Sequence, residues 1–252
     1  MSERAFQRDL SRLVDTSRPV ALVRFGDGEY HLLNGEPYRA RSGWTLASRS
    51  SWLRDRIEAS LVAVLPDYWV GISPPCDWPI GTAYFRPKVK ARRTFATVFS
   101  HSNYPRFRKL VAPRGALAGA CLVGPGKKAD YPVPLNGVVR KWDLDGLVDK
   151  LFAEERPILV AAGPCACVIV HEYWKRCDPA KRQTILDVGA AIDPILHGKG
   201  TRDFHGSASA LRFHTCSWDR SVPWGPPRKK KKIKGYRAHL AGQRTKYGAK
   251  PK

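Results

Sequence analysis

The feature that most constrains this chain is a recurrence. Short apolar runs end in glycine or polar residues, and most are separated by stretches with helical spacing. Residues 20–25 (VALVRF) run into 26–29 (GDGE), 69–72 (WVGI) stop at 73–75 (SPP), and 94–99 (TFATVF) lead to 100–103 (SHSN). The pattern returns at 118–123 before a GPGKK loop, at 158–162 before Gly163-Pro164, and at 184–189 (TILDVG). Residues 3–15 place Phe6, Leu10, Leu13 and Val14 on one helical face, and 52–65 do the same with Leu53, Ile57, Leu61 and Val64. Helices are also expected at 144–152 and 165–176. Strands separated by helices predict an α/β domain with a mainly parallel sheet flanked by helices. Ligands of such sheets bind at the carboxyl ends of the strands, where the polar loops fall.

The 252 residues are enough for a sizeable core, and 43% hydrophobic with 10% aromatic content excludes a disordered basic protein. The longest strongly apolar stretch, 158–170, is interrupted by Gly163 and Pro164 and is shorter than the roughly 20 residues of a membrane span. The first residues alternate charge and apolarity, without a signal-peptide core. These features predict a folded protein of the cytoplasm, with no transmembrane segment. Six cysteines form no CxxC pair, so reduced and mostly buried thiols are expected. Cys165-Ala166-Cys167 does not match the PCxxC of a zinc deaminase, and no HxE precedes it.

The formal charge is +22, from 44 Lys+Arg against 22 Asp+Glu. Residues 228–252 hold 11 Lys/Arg and no acid, which leaves 33 basic against 22 acidic residues in the rest. A breaker cluster, Pro223-Trp224-Gly225-Pro226-Pro227, opens this tail. The chain therefore divides into a folded domain over 1–222 and a basic tail over 223–252. Arg228, Lys229, Lys230, Lys231, Lys232, Lys234 and Arg237 are the expected contacts to a polyanion, with DNA favoured as partner. A solubilising tail or a localisation signal accounts for the same residues.

Chemistry concentrates in residues 24–30 (RFGDGEY). Two carboxylates one residue apart, flanked by glycines after a strand, can converge on Mg²⁺ or Mn²⁺ that keeps positions open for phosphates. Arg24 beside them is a forked donor for a phosphate oxygen. Asp-Gly is also a common turn dipeptide, and spacing alone leaves both readings open. Gly163-Pro164 after a buried strand opens a helix, whose N-terminus suits a diphosphate. The GPGKK loop fails the GxxxxGK[ST] pattern, and no GxGxxG is present. His101, His197, His205 and His214 have no ligand spacing.

RFGDGEY, then LRDRIEASLVAVLPDYWVGISPP, ILVAAGPCACVIVHEYW and QTILDVGAAID, resemble in order the motifs of GT-D-type glycosyltransferases. The resemblance spans residues 20–193. It implies a Rossmann-like fold and transfer of a sugar from a nucleotide-sugar, with a divalent metal at an Asp-x-Glu motif. That motif falls on Asp27 and Glu29. Arg24, Gly26 and Gly28 would lie beside the diphosphate, Gly163 and Pro164 at the nucleotide-side turn, and Asp187 and Gly189 at the last strand end. The family's usual Gly-His there reads Gly189-Ala190, and the basic tail lies outside the pattern.

The expected function is thus a metal-dependent glycosyltransferase using a nucleotide-sugar such as a UDP-sugar, with Mn²⁺ or Mg²⁺ and with Asp187 or Asp193 as general base. The charge favours a 5-hydroxymethylpyrimidine in DNA as acceptor, as in bacteriophage DNA carrying hydroxymethylcytosine, in the host cytoplasm. A base acted on this way is extruded from the duplex, and Trp44, Trp69, Trp78 and Tyr84 offer a stacking surface. A transferase of surface glycans and a non-enzymatic nucleic-acid binder on the same fold are the alternatives.

Overall fold

The structure is a computed structural model that describes residues 3–206 apart from 16, 40–44, 47–50, 76, 136 and 139. In chain order its elements are α1 (Glu3–Leu13), β1 (Ala21–Phe25), α2 (Asp27–Asn34), β2 (Tyr38–Arg39), β3 (Thr45–Leu46), α3 (Ser51–Val62), β4 (Tyr68–Ile72), α4 (Pro79–Phe85) and β5 (Arg92–Phe95). There follow α5 (Tyr104–Val111), β6 (Cys121–Gly124), β7 (Tyr131–Pro132), α6 (Leu144–Leu151), β8 (Ile158–Val160), α7 (Cys165–Arg176), β9 (Ile185–Asp187) and α8 (Asp193–His197).

Seven strands form one parallel sheet in the order β5-β4-β1-β9-β8-β6-β7, and β2 pairs antiparallel with β3 beside it. Period-two alternation sends residues to opposite faces. Ala21, Val23 and Phe25 of β1 join Ile158, Val160 and Ile185 in a core with α2, α3, α6 and α7. Leu22, Leu159 and Leu186 face the other way, onto α1, α5 and α8. Both faces are covered, so the strands read as continuous apolar runs. The expected α/β fold with a parallel sheet flanked by helices is the fold found.

At the centre of the sheet the first strand, β1, lies beside the last, β9; the chain leaves β1 for α2 and α3 on one face and β9 for α8 on the other, which opens a crevice at their carboxyl ends. Three local expectations differ from this structure. The segment 26–29 is the start of a helix rather than a free turn, because the Glu29 side chain accepts from the Gly26 N–H at 2.7 Å and caps it. Only Thr94 and Phe95 of the 94–99 run are strand; Val98 and Phe99 are buried in turns under α5. Two helices, α4 and α5, were not expected, although Pro79 and Pro105 stand in their first turns. Cys121, Cys165, Cys167 and Cys177 are free and buried, and burial pushes the Cys165 thiol up to about 12.

Candidate functional site

The crevice floor is a buried ion pair between the two central strands, β1 and β9. Arg24 near the end of β1 places Nη2 3.2 Å from Asp187 Oδ1 at the end of β9. Its Nη1 donates to the Ala96 carbonyl at 2.9 Å, reaching past β4 to the segment after β5. Asp187 Oδ1 also accepts from the Gly189 N–H at 3.1 Å. Burial raises the Asp187 carboxyl above its ordinary value, and the Arg24 charge opposes that shift. Two glycines make room for the guanidinium. A Cβ on Gly71 would sit 3.2 Å from Arg24 Cγ, and one on Gly189, at φ +48°, would sit 2.0 Å from Nη2. The Cys167 thiol donates to the Arg24 carbonyl from behind. Arg24 was expected beside a diphosphate; its two terminal nitrogens are bonded to the protein, while its buried Nε has no hydrogen-bond partner among the described residues.

Asp27 and Glu29 open α2 above this pair and differ in environment. Asp27 is exposed, with Oδ2 accepting from the Tyr38 hydroxyl at 2.7 Å and Oδ1 from the Gly28 N–H at 3.0 Å. Glu29 is buried and turned back onto the Gly26 amide. Burial pushes its carboxyl up to about 7, the Gly26 bond opposes this, and Asp187 and Asp27 add to it by repulsion. Helical positions two apart do not share a face, so the two carboxylates are not a ready pair. No group of three or more His, Cys, Asp or Glu that could hold a metal occurs among the described residues. This donor set fits an ion that takes most of its shell from phosphate and water, as Mg²⁺ commonly does, held first by Asp27.

The other expected residues also gather at the carboxyl ends of the strands. Gly163, at φ +54°, and Pro164 turn the chain from β8 into α7, whose N-terminus has no side-chain cap and whose Ala166 N–H bonds back to the Gly163 carbonyl at 2.9 Å. Asp193 opens α8 just beyond β9, and its carboxylate accepts from the Thr201 hydroxyl. Of the two expected bases, Asp187 is committed to Arg24, whereas Asp193 stands apart from that pair.

Sequence reasoning missed Tyr38, which fixes Asp27 from eleven residues away and stacks on His31 at 5.0 Å between ring centroids. It also missed Tyr30, which meets Trp78 at 5.3 Å and Tyr84 at 5.0 Å edge to face, beside the ends of β1 and β4. Trp78 and Tyr84 are half-buried there. Trp69 is not part of a stacking surface: it is buried in the core with the Arg92 guanidinium over its ring. Trp44 and the tail residues Arg228, Lys229, Lys230, Lys231, Lys232, Lys234 and Arg237 lie outside the described residues.

No protein-family model and no curated protein matches the sequence. In three dimensions the chain is similar to a structure described as a new glycosyltransferase (DUF1792) from Streptococcus sanguinis. The TM-score is 0.50 at 14% identity, over 90% of this chain and 95% of that one. What they share is the fold. A selenomethionine-substituted structure of domain of unknown function 1792 aligns with a TM-score of 0.47 at 14% identity, over 90% and 97% of the two chains. A third structure, described as that domain having a distinct glycosyltransferase fold, gives 0.42 at 13% identity over the same shares. No helix among the described residues is long and apolar enough to cross a membrane.

Proposed function

We propose that this protein is a glycosyltransferase that moves a sugar from a nucleotide-sugar, a UDP-sugar in the first instance, to the hydroxyl of a 5-hydroxymethylpyrimidine in DNA. The transferase reading is carried by one observation. In a fold similar to that of the Streptococcus sanguinis glycosyltransferase, Asp27, Glu29, Arg24 and Asp187 meet at the carboxyl ends of the two central strands, β1 and β9, whose following segments leave to opposite faces of the sheet. The DNA acceptor rests on the charge of +22, and the cytoplasm of a bacteriophage-infected host is the setting proposed for it.

Asp27, oriented by Tyr38, would bind Mn²⁺ or Mg²⁺, with Glu29 as the carboxylate behind it. A bound cation supplies positive charge to the departing nucleoside diphosphate. The amides at Gly163 and the start of α7 orient the same diphosphate through the helix N-terminus. Asp193 accepts the proton of the attacking hydroxyl. The Arg24–Asp187 pair binds β1 to β9 and holds Gly189 in the left-handed conformation that shapes the crevice. Tyr30, Trp78 and Tyr84 line its rim with rings on which a sugar or base can stack.

The test is mass spectrometry of nucleosides from hydroxymethylated DNA incubated with the protein, Mn²⁺ and a panel of nucleotide-sugars. The expected result is a nucleoside heavier by one sugar residue, absent with Asp27→Ala. Donor turnover without a new nucleoside would move the acceptor to a surface glycan. Absence of both turnover and donor binding would leave a nucleic-acid binder on a transferase fold.

A further inference from the structure

The positive charge of the chain before the acid-free residues 228–252 is not spread evenly along it. Residues 78–129 contain 11 Lys/Arg and no Asp or Glu, whereas residues 1–77 and 130–227 together hold 22 of each sign. The whole excess of the chain before the tail therefore sits in one segment of 52 residues. Most of that segment builds one margin of the molecule. It comprises α4, the connection to β5, the edge strand β5 itself, and α5 with the turn that follows.

β5 runs parallel to β4 and β1, so Arg92 lies at the amino end of the sheet and Phe95 leads toward the crevice. α5 then returns from the crevice end, carrying Arg106, Arg108 and Lys109, and Arg114 follows in the next turn. These residues, with Lys90 before β5, are exposed, and none of them takes part in an ion pair among the described residues. Asp9 of α1, bound to Thr94, is the acid that borders Arg92. The margin starts where the crevice ends, because Ala96, just past β5, receives the Arg24 hydrogen bond.

We infer that this margin is a docking surface for the phosphate backbone of DNA, separate from the tail and continuous with the crevice. It rests on the DNA half of the function proposed above and not on the sugar-transfer half. Unpaired cations along an edge match a line of phosphates, because each contact releases condensed counterions. An anionic membrane is the poorer match. Of the large apolar side chains exposed among the described residues, Val62, Val64, Ile80 and Leu135, Ile80 on α4 alone lies on this margin, whereas interfacial binding draws on a buried apolar area that one side chain does not supply.

The experiment uses the full chain without donor or metal and a fluorescent duplex of about 20 base pairs, with anisotropy measured across a salt series. In one variant Lys90, Arg106, Arg108 and Lys109 become Gln. In a control, Lys150, Lys175, Lys181 and Lys199, exposed residues of the charge-balanced remainder, become Gln. The slope of log K against log salt should fall by about 3–4 in the first variant, with at least about tenfold weaker binding near 0.1 M salt. Changing Lys229, Lys230, Lys231 and Lys232 to Gln should weaken binding further when combined with it. An unchanged slope, an equal loss in the control, no binding by the parent protein, or a loss seen only with phosphatidylserine vesicles would each overturn the assignment. Failure of sugar transfer, read separately by the nucleoside assay, would leave it standing.

Discussion

Gly189→Ala is the substitution most directly tied to the crevice geometry. Gly189 sits at φ +48°, and a Cβ there would lie 2.0 Å from Arg24 Nη2 and 3.2 Å from its Cζ. The left-handed backbone alone costs an alanine about 1–2 kcal/mol. The clash adds to that because the guanidinium is not free to swing away. Nη1 is held by Ala96 and Nη2 by Asp187, and the side chains of the pair are 19% and 7% exposed. Losing one partner of a buried pair costs about 3–5 kcal/mol, and a guanidinium that pivots and keeps one bond should forfeit about half of that. The expected total is therefore about 3–4 kcal/mol. Gly198 supplies the control: it has φ +72°, and a Cβ there would meet no atom within 4 Å, so Gly198→Ala should show the backbone cost alone. Thermal unfolding should separate the two variants by about 4–8 °C at this chain length. In an Arg24→Met background the excess of Gly189→Ala over Gly198→Ala should shrink to within about 0.5 kcal/mol. Equal destabilisation by the two alanines, or an excess that persists without Arg24, would refute the reasoning.

Three further outcomes are expected. Tyr38→Phe removes the hydroxyl that donates to Asp27 Oδ2 and should weaken Mn²⁺ binding about tenfold by titration calorimetry, the usual effect of losing a partner that orients a ligand. Glu29→Ala should destabilise by about 1 kcal/mol in urea through loss of the Gly26 cap, with Glu29→Gln recovering most of it because an amide oxygen still accepts. The Arg156 fork, with Nε and Nη2 at 2.7 and 2.8 Å, holds the Glu154 carboxyl down at about 2. Because the folded value is depressed, this contribution is complete above the ordinary glutamate range and is lost as pH falls from about 4.5 through 2. Arg156 is 45% exposed, so its size should be only about 1 kcal/mol, read as the difference between the parent and Glu154→Gln in acid unfolding curves.

The parts of the site legible in the sequence were those written locally. Glycine and acid after an apolar run marked Asp27 and Glu29, and Gly163-Pro164 marked the start of α7 to the residue. The same local signal could not say that Glu29 folds back as a cap, since a capping glutamate and a ligating one share the spacing. Residues 94–99 were over-read as strand because burial of Val98 and Phe99 under α5 makes an apolar run that periodicity cannot tell from a strand.

The sequence by itself determined the α/β class, because strand-length apolar runs separated by helical stretches can be buried only in a sheet covered on both faces. It also determined where the chemistry-bearing loops fall along the chain. Only the tertiary structure decided which loops meet. Arg24 and Asp187 are 163 residues apart and face each other because β1 and β9, the first and last strands of the sheet, pair in parallel at its centre. Tyr38 reaches Asp27, and Ala96 reaches Arg24, through backbone paths that no residue spacing encodes. The physical reason is that a strand pairing is a long-range choice, set by packing on both faces at once, whereas a cap or a turn is settled among neighbours.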